Sequence, residues 1–396
     1  MFNFIQLNMM NVLSIYLMRS FDIKEAALGF IGSTYFYTNL IFTFFSGMLL
    51  DLFSPKRLVI SAICISLCGL IYFIVIPSIF SLVIWRLAAG VTCAFTITGT
   101  LKIIAEYFYD QERGLAIGLV NTVVFLAGII SQLPFSLVLK NLGINIALLI
   151  VFGMGFCSLC LVYFFISHHK QIKHNTNFIH TIISTCKIFS DFKNLCAALF
   201  ACFTNLPLFI LGALWGSAYL MRVYNMRSGL AAVIVSMLFL GHMIGAPVFG
   251  FLTDRMRSRR GLSLFGAGMA IISALLISLF SYHPFCEEVM LCVLFFFLGV
   301  STSSQIISWT FVVSNSRKDS VARAVSLVGL ISVFGGVVFQ PMFGLLVQHS
   351  GNLVHGYQQA MLMLIFTSFF ACIFGFYIPN KSAANNKKVV GDVGST

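Results

Sequence analysis

Charge is scarce in this sequence, and acid scarcer than base. Only 9% of the 396 residues are charged, with 12 Asp and Glu against 24 Lys and Arg, while 59% are hydrophobic and 43 are phenylalanine. Such a chain has too little polar surface to coat a water-soluble globule and belongs in a bilayer. No Gly-x-x-x-x-Gly-Lys-Ser/Thr loop is present, so ATP drive is not expected, and neither a hydrolase triad nor a metal-ligand cluster can be assembled. No cofactor is expected. The eleven cysteines are scattered, mostly within apolar runs, and Cys157-x-x-Cys160 reads as two small buried thiols. The net charge of +12 comes from basic residues in short segments between apolar runs, where they act as topology signals and not as a nucleic-acid surface.

What is present is a series of apolar runs. The first, Phe2 to about Met18, carries Asn3, Gln6, Asn8 and Asn11 and lacks a basic leader and an Ala-x-Ala-like site, so it reads as most of one span. A whole span needs about 20 residues, which raises the expectation that the natural start lies further upstream. Further spans are expected at about 27–51, 58–76, 79–108, 114–139 and 145–167, then at 195–221, 230–253, 262–281, 289–314, 324–347 and 359–378. The fold class is therefore an all-α membrane protein with twelve transmembrane helices in two six-helix bundles. Residues 1–167 form the first bundle, 168–193 a basic linker, 194–379 the second bundle and 380–396 a polar, disordered tail. Placing the linker in the cytoplasm puts 17 basic residues on that side and five on the other, which predicts both termini inside.

One stretch occurs twice. Gly47-Met-Leu-Leu-Asp51 is followed by Lys56-Arg57, and Gly250-Phe-Leu-Thr-Asp254 by Arg259-Arg260, 203 residues later. A carboxylate at a helix C-terminus meets the negative end of the dipole and needs a compensating cation. The arginines heading the fifth and eleventh spans, Arg113 and Arg323, or the basic pairs themselves, are the expected partners, and the glycine lets a neighbouring helix approach. Ser131-Gln132-Leu133-Pro134 and Phe339-Gln340-Pro341 repeat in the middle of the same two spans.

The repeated loop resembles the signature loop of the major facilitator superfamily, with its echo between the eighth and ninth helices, and the resemblance covers about Ala27 to Ile378. It implies two halves related by an axis along the membrane normal, rocking about a central site. Asp51 and Asp254 would then latch the loop-bearing ends. Tyr35-Phe-Tyr37, the Leu101-Lys102 segment, Trp215 with Tyr219-Leu220, and the run from Gly241 to Gly250 are similar to bacterial carriers of the branch containing the lysosomal dipeptide and phagosomal amino-acid transporters. The Gly143-Ile144-Asn145 turn departs from the family's frequent Gly-Trp-Arg.

Polar residues at mid-depth are the informative ones. Arg86 lies about seven residues into its span and must meet a carboxylate, carbonyls, water or solute, the alternative being a side chain reaching back to the interface. Lys102 and Glu106 sit i, i+4, where they can satisfy each other. Asn39 and His242 occupy equivalent positions of the repeat, with Tyr35 on the same helix as Asn39. Trp215, Trp309, Gln132 and Gln340 complete the expected solute-contacting set. No carboxylate lies at mid-depth in the first, seventh, eighth, tenth or eleventh span, and the buried charge is positive. This favours a small solute bearing a carboxylate, such as an amino acid, dipeptide or organic acid. It would cross a bacterial inner membrane by facilitated diffusion, exchange or coupling to a proton through His242 or Glu106, with the protein working as a monomer. An exporter of drugs or siderophores and a non-transporting receptor or scaffold remain open alternatives.

Overall fold

The computed structural model describes residues 1–107, 109–166, 191–256, 258–281, 288–316 and 321–380, and the expected linker and tail fall almost wholly outside these. The described residues form twelve helices: α1 (Phe2–Phe21), α2 (Glu25–Leu52), α3 (Pro55–Val75), α4 (Ile79–Tyr107), α5 (Asp110–Ile130), α6 (Leu133–Phe165), α7 (Phe192–Val223), α8 (Ser228–Arg255), α9 (Arg259–Phe280), α10 (Glu288–Asn315), α11 (Val321–His349) and α12 (Leu353–Phe376). Several ends follow from local chemistry. Pro55 opens α3, where a missing N–H costs nothing. Ser258 accepts from Gly261 N at the head of α9, and Asn352 accepts from Val354 N and His355 N at the head of α12.

Nine apolar helical stretches among the described residues are long enough to cross a membrane. One of them, Leu115–Phe165, runs for 51 residues. That is far more than one crossing of a hydrocarbon core about 30 Å thick requires. It folds back at Gly143, whose φ of 81° lies in the left-handed region that glycine adopts without a Cβ clash. The fifth crossing thus ends at the turn the sequence marks.

Three interruptions were not legible from periodicity. The fifth crossing breaks at Ser131–Gln132, just before Pro134, which cannot donate to the ladder. Helix α7 widens into a π-helix over Leu208–Trp215 directly after Pro207. Helix α10 tightens to a 3-10 turn at Ser303–Gln305.

The duplication is visible contact by contact. In the first half a Cβ on Gly90 of α4 would collide with the Tyr35 carbonyl of α2; in the second, a Cβ on Gly299 of α10 would collide with the Leu238 carbonyl of α8. Tyr35 and Leu238 are 203 residues apart, Gly90 and Gly299 are 209 apart, and both crossings depend on the glycine for backbone approach. The same offsets relate Thr38, which donates to Leu87 O at 2.9 Å, to Gly241, which packs on the Phe296 carbonyl.

Contacts between the halves repeat too. The Phe36 ring of α2 lies 2.8 Å from where a Cβ of Gly336 on α11 would be, and the Phe239 ring of α8 seats in the same way on Gly128 of α5. Above these contacts, at the end carrying the α1–α2 turn, α2 and α11 touch through backbone. Gly29 faces Gln340 O and Pro341 Cα, each 3.0 Å from its would-be Cβ, and Ala26 N donates to Gln348 Oε1 at 3.2 Å. Toward the other end, where the repeated loops lie, the same two helices line a groove. Leu40, Ile41, Phe44 and Phe45 face Leu330, Ile331 and Phe334 across an open apolar cleft of about 430 Å³.

Candidate functional site

Arg86 is 1% exposed. Its Nη1 donates to Gln6 O of α1 and its Nη2 to Gly32 O of α2, both at 3.0 Å, and the guanidinium lies 5.0 Å from the Tyr35 ring centroid. Its Nε has no partner, and among the described residues no carboxylate lies within ion-pairing distance. The Tyr35 hydroxyl is likewise buried, beside the Cys93 thiol. Two carbonyls and a ring face disperse the cation's charge but do not neutralise it.

Asn39 lies one turn further along α2, facing Cys93, with Nδ2 at 3.5 Å from Gly90 O. Its repeat partner His242 faces Thr302, with Nδ1 2.7 Å from the hydroxyl, and stacks on Phe125 of the opposite half at 4.0 Å between centroids. Cys93 and Thr302 stand in the same 209-residue relation as the two glycines. Because the Thr302 hydroxyl donates to Gly299 O at 2.7 Å, it accepts from Nδ1, which therefore carries the proton.

The second cluster surrounds the π-helical turn. Gln132 Nε2 donates to Asn8 O at 3.1 Å and to Gly212 O at 3.2 Å, while its Oε1 accepts from Asn11 Nδ2 at 2.6 Å. Asn11 also donates to Ser217 Oγ at 2.9 Å and accepts from Ser217 N at 2.8 Å. Gln340 Nε2 donates to Phe209 O at 2.7 Å, and its backbone carbonyl accepts from Trp215 Nε1 at 3.2 Å. A π-turn spaces its carbonyls apart, and the Gln132 and Gln340 amides take up two of them, while Asn11 of α1 accepts from the Ser217 N–H just beyond the turn. Trp215 stacks on Phe343 and meets Tyr357 edge-on. Asn11 and Ser217 were not singled out from sequence as solute-contacting residues, although a polar residue inside a first span was a visible signal.

Other expected site residues lie apart from these clusters. Lys102 Nζ donates to Leu50 O at 2.6 Å, at the last turn of α2, and Trp309 is half-buried on α10 beside Gly329 of α11. Lys56 donates to Tyr163 O at 2.6 Å and sits over that ring, tying α3 to α6. Arg260 repeats the tie on the Phe376 ring at 4.6 Å, joining α9 to α12. Arg259 is buried over Phe311, Arg57 is exposed, and Gly250 is half-buried on α8. The side chains of Asp51, Glu106, Arg113, Asp254 and Arg323, and Gly47 with them, lie outside the described residues although their helices are described.

A twelve-helix chain of two repeated halves, with a buried arginine and polar side chains gathered where the halves meet, is built as a membrane transporter and not as an enzyme. The family model of the Major Facilitator Superfamily matches residues 1–203 and 195–393, and the chain belongs to that family. Among solved structures it resembles a bacterial homologue of the human lysosomal transporter Spinster. The inward-facing, occupied form gives a TM-score of 0.72 at 16% identity, and the inward-facing, unoccupied form 0.74 at 15%, each over 95% of this chain and 94% of that one. It also resembles a point mutant of the nucleoside transporter NupG, with a TM-score of 0.73 at 14% identity over 96% of this chain and 98% of that one. At these identities the likeness is one of fold. No curated protein sequence matches significantly.

Proposed function

We propose that the protein is a secondary carrier that moves a small carboxylate-bearing metabolite, an amino acid, dipeptide or organic acid, across a bacterial inner membrane by alternating access. The observation that supports this most is an asymmetry of the repeat. By the offset relating Gly90 to Gly299, the counterpart of Arg86 is Phe295, fully buried in α10. The architecture is therefore satisfied by a phenylalanine at that place, and the arginine is an addition that costs desolvation without a protein carboxylate among the described residues to offset it. A solute carboxylate is the group that would complete it, reaching Nε when the helices around Arg86 rearrange.

The seam between α2 and α11 is closed at one end and cleft at the other, which supports reading this state as open on the side of the repeated loops. That side is the cytoplasm by the distribution of basic residues, with both termini there. In this state the basic pairs brace helices of their own half, and the latch by Asp51 and Asp254 belongs to the opposite state. The protein acts as a monomer, and His242 and Glu106 are the groups through which a proton would be coupled.

A thermal-shift screen of amino acids, dipeptides and organic acids against the purified protein tests the solute class. Stabilisation by a carboxylate-bearing solute, but not by its amide, is the expected result. Stabilisation confined to neutral or cationic compounds overturns it.

A further inference from the structure

The first half reaches the π-turn of α7 through two fully buried side chains, Asn11 of α1 and Gln132 of the fifth crossing. In a regular helix each N–H donates to the carbonyl four residues back, so Gly216 N would close on Gly212 O and Ser217 N on Ala213 O. Here Gly216 N donates to Leu211 O, five residues back, and Gly212 O accepts from Gln132 Nε2 at 3.2 Å. Ser217 N donates to Asn11 Oδ1 at 2.8 Å, and Asn11 Nδ2 joins the two side chains by donating to Gln132 Oε1 at 2.6 Å. A carbonyl and an N–H that a tight helix bonds within itself are thus held from the other half. Gln340 acts differently, since it ties the turn to α11 of the same half through Phe209 O and Trp215 Nε1. Its carbonyl also faces Gly29 of α2, which places the turn at the closed end of the seam. Gly216 suits the wide ring alone. A Cβ there would collide with Leu211 O, a carbonyl that in a regular helix accepts from residue 215 and leaves room for a side chain at 216.

We propose that the π-turn is a switch set by the opposite half. Docked Asn11 and Gln132 keep the ring wide; when the halves part at this end, Gly216 N takes Gly212 O, Ser217 N takes Ala213 O, and α7 tightens to a regular helix. A π ring is the rarer form of helix, so tightening follows once the two side chains leave. Dropping one residue from the ring turns the parts of α7 on either side of it relative to each other by about 100°, one residue's portion of a helical turn. Rocking of the halves is thereby converted into a rotation within one helix. The coupling is reciprocal, so a change that tightens α7 also favours parting of the halves. The inference rests on the alternating-access reading for the parting itself.

The test needs no solute and uses the full-length protein in nanodiscs. Cryo-electron microscopy reads the form of α7, and distances between spin labels on the α1–α2 and α11–α12 turns read parting at this end. Asn11→Leu combined with Gln132→Leu removes both docking side chains and should leave α7 regular across residues 208–217. Gly216→Ala keeps both side chains but disfavours the wide ring; it should also give a regular α7 and raise the population with lengthened distances several-fold. A π-turn that survives loss of both side chains overturns the switch, as does a regular α7 in Gly216→Ala with distances unchanged. Should the double variant not fold, Gly216→Ala decides alone, and a π-turn kept in that variant overturns the switch. If helix and distances respond as expected while proteoliposomes show no solute flux, the switch stands and the carrier reading falls.

Discussion

Gln132 and Gln340, 208 residues apart in the two halves, both donate to carbonyls of one π-helical turn, Gln132 to Gly212 O and Gln340 to Phe209 O. Repeat-related side chains converge on a single unrepeated feature. Helix α7 is where the two halves share a hydrogen-bond system, because Gln132 and Asn11 reach it from the first half and Gln340 from the second.

Gln132→Leu should destabilise the protein, since it removes the bonds to Asn8 O and Gly212 O and leaves one donor of Asn11 without its acceptor. Interhelical bonds in membranes are worth about 0.6–2 kcal/mol each, so a loss of about 1–3 kcal/mol is expected, read as a lower unfolding midpoint in detergent. Asn11→Leu combined with Gln132→Leu should cost less than the sum of the two, because they share a bond. Additive losses would show that the knot is not a unit.

Gly344→Ala should bias the protein away from the state seen here. The new Cβ would lie 2.5 Å from the Glu25 carbonyl, a backbone atom that cannot rotate aside, so α2 and α11 must separate at that end. Distances between spin labels on the α1–α2 and α11–α12 turns should lengthen. Gly118→Ala, with open space around its would-be Cβ, should leave them unchanged and serves as the control.

Asp51→Ala should cripple uptake while membrane insertion stays intact. The repeated Gly-Asp-basic stretch points to a latch needed when the solute pathway opens on the other side. Normal transport by this variant would remove the latch.

Much of the architecture could be read from the chain. The spans at α2 to α4 and α8 to α11 emerge within a few residues from apolar runs, because a bilayer imposes length and polarity together, whereas α12 starts six residues before the expected 359, at Leu353. Gly143 marks its turn by chemistry visible in one residue. The repeat offset relating Asn39 to His242 comes from the loops alone, and both residues prove to face matched partners, Cys93 and Thr302. What could not be read is where helices depart from regularity. The carbonyls of the π-turn after Pro207 are met by the Gln132 and Gln340 amides arriving from distant parts of the chain, and no local pattern encodes those arrivals. Nor could sequence show that Lys102 reaches Leu50 O, since a four-residue spacing to Glu106 describes only its own helix.

The most direct test of the central claim is counterflow in proteoliposomes, comparing wild-type protein with Arg86→Ala for a carboxylate-bearing solute and its neutral amide. The account predicts counterflow of the carboxylate by the wild type. It predicts a loss of about tenfold or more in the variant, the factor that about 1.4 kcal/mol of lost solute binding produces, with little change for the amide. Equal losses for both solutes, or no carboxylate flux in the wild type, would contradict it.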